Sequence, residues 1–333
     1  MATSQKGEVV KKYLKRFPNS PNKTLASKVF AENKLLFTDE ESVRGLLRYY
    51  RGAHGDKNRK DVAVKEHIKP LAFGNQYNLP PSYAPKRETF KLPKANNNVL
   101  VMSDIHAPYQ DNEAITLALD YGKKQKVNTV ILNGDIIDFC LLSRFEKDPK
   151  ARNVKEEFDT CRAILVSIRK AFPKADIIWL KGNHDIRYEK WLFLKAPEIF
   201  DDSYYLLEER LRLNELKIKL LDEKILIKAG KLNITHGHLT IRGVFAPVNS
   251  ARGVYMRTKV STLISHVHNS SEHTEKDLND GMVTCWSIGC LCTLSPNYDS
   301  QSTKHNTGFA HVMIESNGDY HVQNKRIHNG KIL

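Results

Sequence analysis

The chain has 333 residues, 41% hydrophobic and 27% charged. That fits a soluble protein with one large domain and a small one. No apolar run approaches the roughly 20 residues of a membrane helix, residues 1–12 are too polar for a secretory signal, and five cysteines suggest no disulfide framework. A cytoplasmic protein without a membrane partner is therefore expected. The net charge is +14, and residues 1–95 hold 20 Lys/Arg against 9 Asp/Glu, so +11 of it sits there. A polyanionic partner, nucleic acid (DNA or RNA) first, follows from that imbalance.

Three short helices are expected at the start. Val9, Val10, Tyr13, Leu14 and Phe17 give helical spacing over residues 8–17, and Leu25, Ala26, Val29 and Phe30 give it over 24–32. Thr38, with Glu41 three residues on, reads as a capping box opening a third helix. Val43, Leu46, Leu47 and Tyr50 form its buried face, and Gly52 is its expected stop. Arg44, Arg48 and Arg51 recur at i, i+4 and i+7 and so share one face. Residues 1–52 resemble a basic helix-turn-helix module that would contact nucleic acid through these arginines. Residues 53–97 carry prolines 70, 80, 81, 85 and 93 and read as a Pro-rich linker.

Strand–helix alternation begins at Asn98. The apolar runs 99–102, 129–132 and 177–180 read as buried strands, with helices expected at 113–126 and 154–171. After residue 215 shorter strands are expected at 216–221, 224–228, 232–235, 262–264, 282–288 and 308–314. Two packed sheets with helices outside satisfy this order, an α/β architecture. Cys290 and Cys292 are too few and too close for a zinc site on their own and read as core thiols.

Each of five strand ends delivers Asp, Asn or His. The first carries Asp104 and His106, the second Asp135 and Asp138. The third carries Gly182, Asn183, His184 and Asp185. The fourth carries His236 and His238, the fifth His266 and His268. In an extended segment, residues two apart point to one side, and open α/β sheets place chemistry at the carboxyl ends of their strands.

Asp-x-His, Gly-Asp-x-x-Asp, Gly-Asn-His-Asp, a strand-end His-Gly and His-x-His, over residues 98–270, resemble the calcineurin-like metallophosphoesterases. The resemblance implies a four-layer α/β/β/α sandwich, spanning 98–333 here, that holds two divalent metal ions. By position, Asp104, His106 and His268 would hold one ion, and Asn183, His236 and His266 the other. Asp135 would bridge them, a carboxylate having two oxygens to share. His238 competes with His236, which is preferred as the first His after its strand. Mixed oxygen and nitrogen donors suit manganese first, with iron or zinc as alternatives. His184 would protonate the leaving group or stabilise its charge, and Asp138 would orient its ring.

Some positions depart from the family pattern. Ser265 stands where Gly is usual before His266. Ser287-Ile288-Gly289-Cys290 replaces Asn-Pro-Gly-Ser. Phe139 occupies the place of the arginine found in serine/threonine protein phosphatases, which also typically have one His rather than two at the last motif, so that class is not expected. The expected activity is hydrolysis of phosphodiesters in nucleic acid, as by a nuclease. The alternative is a phosphatase or phosphodiesterase for a small nucleotide or other small phosphoester, the N-terminal module then serving protein interaction. A non-catalytic binding protein on this fold is disfavoured by the intact His184 and ligand set.

Overall fold

The computed structural model describes residues 5–18, 20–51, 80, 88–143, 153–241, 248–294 and 304–333. The chain divides into two compact units between Ala84 and Pro85. In the first unit, α1 spans Gln5–Arg16, α2 Asn22–Glu32 and α3 Glu40–Tyr50. Their apolar stripes close a small core of Val10, Leu14, Leu25, Ala26, Val29, Phe37, Val43, Leu47 and Tyr50. The N-cap of α3 is Asp39, not Thr38. Asp39 is extended, and its carboxylate accepts the Ser42 backbone N–H, the donor a cap must satisfy. Gly52 lies outside the described residues.

The second unit begins before the expected linker ends. β1, Thr89–Lys91, pairs in parallel with β6, Leu226–Ala229, so residues 89–97 belong to the large unit rather than to the linker. The rest of 53–97, apart from Pro80 and Glu88, lies outside the described residues. β2 is Asn98–Met102, α4 Asn112–Lys124, β3 Thr129–Leu132, α5 Val154–Ala171, β4 Asp176–Leu180 and α6 Arg187–Lys195. β5 is Ile218–Leu221, β7 Leu232–Ile234, α7 Ser250–Thr258 and β8 Thr262–Ile264. β9 is Ser271–Lys276, β10 Met282–Ser287, β11 Thr307–Ile314, β12 Tyr320–His328 and β13 Lys331–Ile332.

Among the described residues these strands form two sheets. One runs β13-β12-β11-β2-β3-β4-β5, the other β1-β6-β7-β8-β10-β9. Side chains of β2 alternate between two apolar layers. Leu100 and Met102 join α4 and α5 residues such as Ala118, Phe158 and Leu165. Val99 and Val101 face the other way, with Ile131, Ile178, Ile227, Ile234, Leu263 and Val312, and fill the space between the sheets. Helix α7 covers the second sheet through Ala251 and Val254 against Ile264 and Cys285. The order is α/β/β/α, as expected, and burial on both faces explains the unbroken apolar runs of β2, β3 and β4.

Candidate metal centre

β2, β3 and β4 are parallel, with Met102, Leu132 and Trp179 side by side. Their carboxyl ends therefore coincide, and the chain leaving each one turns into the same space. β7 and β8 are parallel too, Ile234 opposite Leu263, and bring His236 and His266 there from the second sheet. Backbone at the site is unusual. Asp104, His106, Asp135, His266 and His268 have φ of 51°, 50°, 54°, 72° and 54°, the left-handed region that costs side-chain-bearing residues about 1–2 kcal/mol each. Such strain is kept where surrounding structure imposes it, commonly at functional sites.

Two glycines allow the strand ends to close up. A Cβ on Gly134 would stand 2.4 Å from His236 Nδ1, and one on Gly182 would stand 2.3 Å from Asp135 Oδ1. Asp185 locks the loops together. Its buried carboxylate accepts the backbone N–H of Asp135, Ile136, Ile137 and Gly182 and the indole N–H of Trp179, at 2.7–3.2 Å. Sequence gave Asp185 no role, because its partners are mostly backbone groups about fifty residues away.

The predicted ligands converge in two groups. His268 Nε2 is 3.3 Å from Asp104 Oδ1 and 3.2 Å from His106 Nε2. His236 Nε2 is 3.1 Å from Asp135 Oδ2 and 3.2 Å from Asn183 Oδ1. Donors about 2.1 Å from a tetrahedral ion are about 3.4 Å apart, close to these spacings. His266 joins the second group with Asp135 and His236. Asp135 stands between the two groups. Its Oδ1 accepts the His184 backbone N–H at 2.8 Å. Oδ2 lies 3.1 Å from His236 and 4.0 Å from His106. Of the two histidines after β7, His238 turns aside to Glu223 at 2.8 Å, leaving His236 at the site.

The residues fit divalent cations. Asp104 Oδ1 and His266 Nδ1 are buried and have no hydrogen-bond partner, a cost that a bound cation removes. Asp104 is otherwise satisfied, its Oδ2 accepting from Ser103 Oγ and the His266 N–H. Ring orientations are fixed from behind. His106 Nδ1 meets Asp138 Oδ1 at 2.8 Å, and His236 Nδ1 meets the Asn133 carbonyl at 2.7 Å and Ser265 Oγ at 3.1 Å. The serine that replaces the usual glycine thus supports a ligand.

The electrostatics agree. Burial would raise the Asp135 carboxyl, but His236 and His184 outweigh it and hold it well below the usual range. Burial likewise opposes and His268 outweighs it at Asp104, which sits at about 2. Asp138 is held low against burial by hydrogen bonds with His106 and His184. His236 is raised to about 9, burial being overcome by Asp135, so a proton and a metal compete for that nitrogen. Burial and then repulsion from His236 lower His266 to about 4, leaving it neutral with a lone pair to offer.

His184 stands at the rim. Its Nδ1 is 2.7 Å from Asp138 Oδ1, so Asp138 supports His106 and His184 through one oxygen. Arg187, on the first turn of α6, places Nη2 3.0 Å from His184 Nε2 and donates from Nη1 to the Asp138 carbonyl. Sequence reading missed Arg187, although its i+3 offset from His184 was available as a signal. His305 was also missed; its ring lies 4.9 Å from that of His268.

The N-terminal arginines diverge. Arg51 donates to Asn22 Oδ1, Pro18 O and Ser20 O, tying the α1–α2 turn to the end of α3. Arg44 pairs with Glu41 at 3.0 Å. Arg48 is exposed. The common basic face read from the spacing is therefore reduced, because two of the three guanidiniums are engaged within the module. Lys12 and Lys15 on α1 are exposed as well.

A family model described as calcineurin-like phosphoesterase matches residues 98–285. The Gene 54 protein of Mycobacterium phage L5 is 26% identical over 179 residues, covering 52% of this chain and 69% of that protein. Among solved structures, Vacuolar Protein Sorting 29 from Cryptosporidium parvum shares 13% identity over 71% of this chain and 94% of its own, with a TM-score of 0.39. Yfce, a phosphoesterase from E. coli, shares 12% over 68% of this chain and 98% of its own, with a TM-score of 0.34. Likenesses this low bear on neither substrate nor partner.

Proposed function

The chain belongs to the calcineurin-like phosphoesterase family and is a hydrolase of phosphoester bonds; on that premise, we propose that it cleaves phosphodiesters in nucleic acid, with Asp104, His106, Asp135, Asn183, His236, His266 and His268 holding two divalent cations. When bound, such a cation pair supplies Lewis acidity and a nucleophile at neutral pH. The chain's own residues then position and protonate. Asp138 accepts from His184 Nδ1–H and so fixes the ring, leaving Nε2 to exchange a proton with the leaving oxygen. A guanidinium can only donate, so with Arg187 in place Nε2 carries a lone pair. When Arg187 turns to the phosphate's non-bridging oxygens, Nε2 takes up a proton from water, the Asp138 carboxylate supporting the imidazolium, and gives that proton to the leaving oxygen. Manganese, iron and zinc are all compatible with the oxygen and nitrogen donors.

The observation that carries the nucleic-acid reading is the charge distribution, +11 of +14 within residues 1–95. It is supported by exposed Lys12, Lys15 and Arg48 on the N-terminal helices. The test replaces these three by Gln in the full chain and measures DNA and RNA binding across a salt series. Phosphate contacts release counterions, so the slope of affinity against salt should flatten by up to about three units. Turnover of a small chromogenic diester should stay unchanged. An unaltered slope would favour a small phosphoester as substrate.

A further inference from the structure

The segment after β10 is stitched to the first metal-binding loop. Leu291 N–H donates to the Asp104 carbonyl at 3.1 Å, Asp111 N–H to the Leu291 carbonyl at 2.9 Å, and Thr293 N–H to the Tyr109 carbonyl at 2.8 Å. A β-bridge joins Gln110 to Cys292. Leu291 faces the apolar layer under α4 and α5. Cys290 and Cys292 flank Leu291, and the Cys292 side chain reaches the metal centre.

Cys292 is 5% exposed. Its Sγ and one ring nitrogen each of His106 and His268 all lie within 4.8 Å of one another. Beside this group the buried Asp104 Oδ1 lies 3.3 Å from His268 Nε2. A sulfur and two ring nitrogens thus come close enough together to share one ion, with the Asp104 oxygen next to them. We propose that Cys292 is a further ligand of the cation held by Asp104, His106 and His268, making this half of the centre a mixed sulfur, nitrogen and oxygen site. The inference rests on the metal centre and is independent of the nucleic-acid reading. The Cys290 thiol also contacts His268 and Cys292, besides the Asn306 carbonyl at 3.6 Å, but it is not among the residues whose donor atoms come together there.

The consequence is metal choice. Binding converts the thiol to a thiolate and releases its proton. A soft thiolate favours zinc, cobalt or ferrous iron over manganese and magnesium, which prefer oxygen. The half containing Cys292 should therefore discriminate, and the half containing Asn183, His236 and His266 should discriminate less.

The test titrates metal-depleted full-length protein with Co(II) and reads the near-ultraviolet thiolate-to-cobalt charge-transfer band, with bound cobalt counted by mass spectrometry. The expected result is a band in the wild type and in Cys290→Ser that disappears in Cys292→Ser. The preference for zinc over manganese at that half should fall at least about 10-fold in Cys292→Ser, since even supporting residues outside the ligand set change metal affinity by about that factor. Cobalt bound by the wild type without the band overturns the assignment and needs no variant to fold. Loss of the band in Cys290→Ser alone overturns it also. A wild type that takes up no cobalt contradicts the metal centre itself.

Discussion

The strand-end cluster and the three N-terminal helices both carry charged residues that sequence spacing singles out, but they hold them differently. At the strand ends Asp104, Asp135 and His236 are buried, their backbone or that of their neighbours is forced left-handed, and Asp104 Oδ1 and His266 Nδ1 lack a hydrogen bond. In the helical module Arg44 and Arg51 are engaged by partners within their own fold, and Lys12, Lys15 and Arg48 are exposed. Burial without satisfaction points to a missing ligand, because the cost of a bare buried group must be offset by something. Exposure points only to a field that any polyanion could feel.

That contrast is easiest to break at its buried end. Asp135→Ala removes the carboxylate oxygen facing both ligand groups, and should abolish turnover and metal retention; activity persisting with two bound metals would refute the ligand assignment. His184→Ala should keep the metals and lose kcat by roughly 10²–10⁴. The loss should be smaller for nitrophenolate, a leaving group that needs little protonation. Equal losses for good and poor leaving groups would rule out proton donation.

Asp185→Asn sharpens the comparison on stability. Its amide nitrogen would face backbone donors that now meet a carboxylate. A loss of about 2–4 kcal/mol in urea denaturation follows from leaving buried donors unpaired, and an unchanged midpoint would show that the loops do not depend on it. No such loss is expected for Arg48→Gln, which is exposed on α3.

The smallest effect concerns Glu157 on α5, beneath the site. Its Oε1 accepts the Cys140 N–H at 3.1 Å, Oε2 has no partner, and burial followed by the Asp138 charge raises it from 4.5 to about 8. The folded chain then keeps a proton that the unfolded chain has released. Its contribution to stability is complete below about pH 4.5 and is lost as pH rises through about 8. Glu157→Gln should flatten the fall in melting temperature between pH 5 and pH 8. An identical pH slope in wild type and variant would exclude this group as its source.

What could be read from sequence follows from how each element is stabilised. β2, β3 and β4 are buried on both faces and show as continuous apolar runs, and α5 falls on residues 154–171 as expected. β9, Ser-Glu-His-Thr-Glu-Lys, is an edge strand held by backbone pairing to β10, with no apolar side chain to mark it. β12 sets only Tyr320, Val322 and Ile327 among polar residues. α6 was missed because Phe193 and Leu194 are exposed and blur its helical period. The candidate ligands were legible because strand ends place short motifs together. Ser265, Asp185 and Cys292 act through contacts or backbone placements that spacing does not encode.

The claim beneath all of this is that the strand ends form a two-cation centre with two separable halves. Metal content per chain, measured for the wild type, His268→Ala and His236→Ala after loading and desalting, tests it most directly. The expected result is two ions in the wild type and one in each variant, with the retained ion differing between the two variants in its zinc-to-manganese preference. A wild type holding one ion or none, or two variants that lose the same ion, would contradict it.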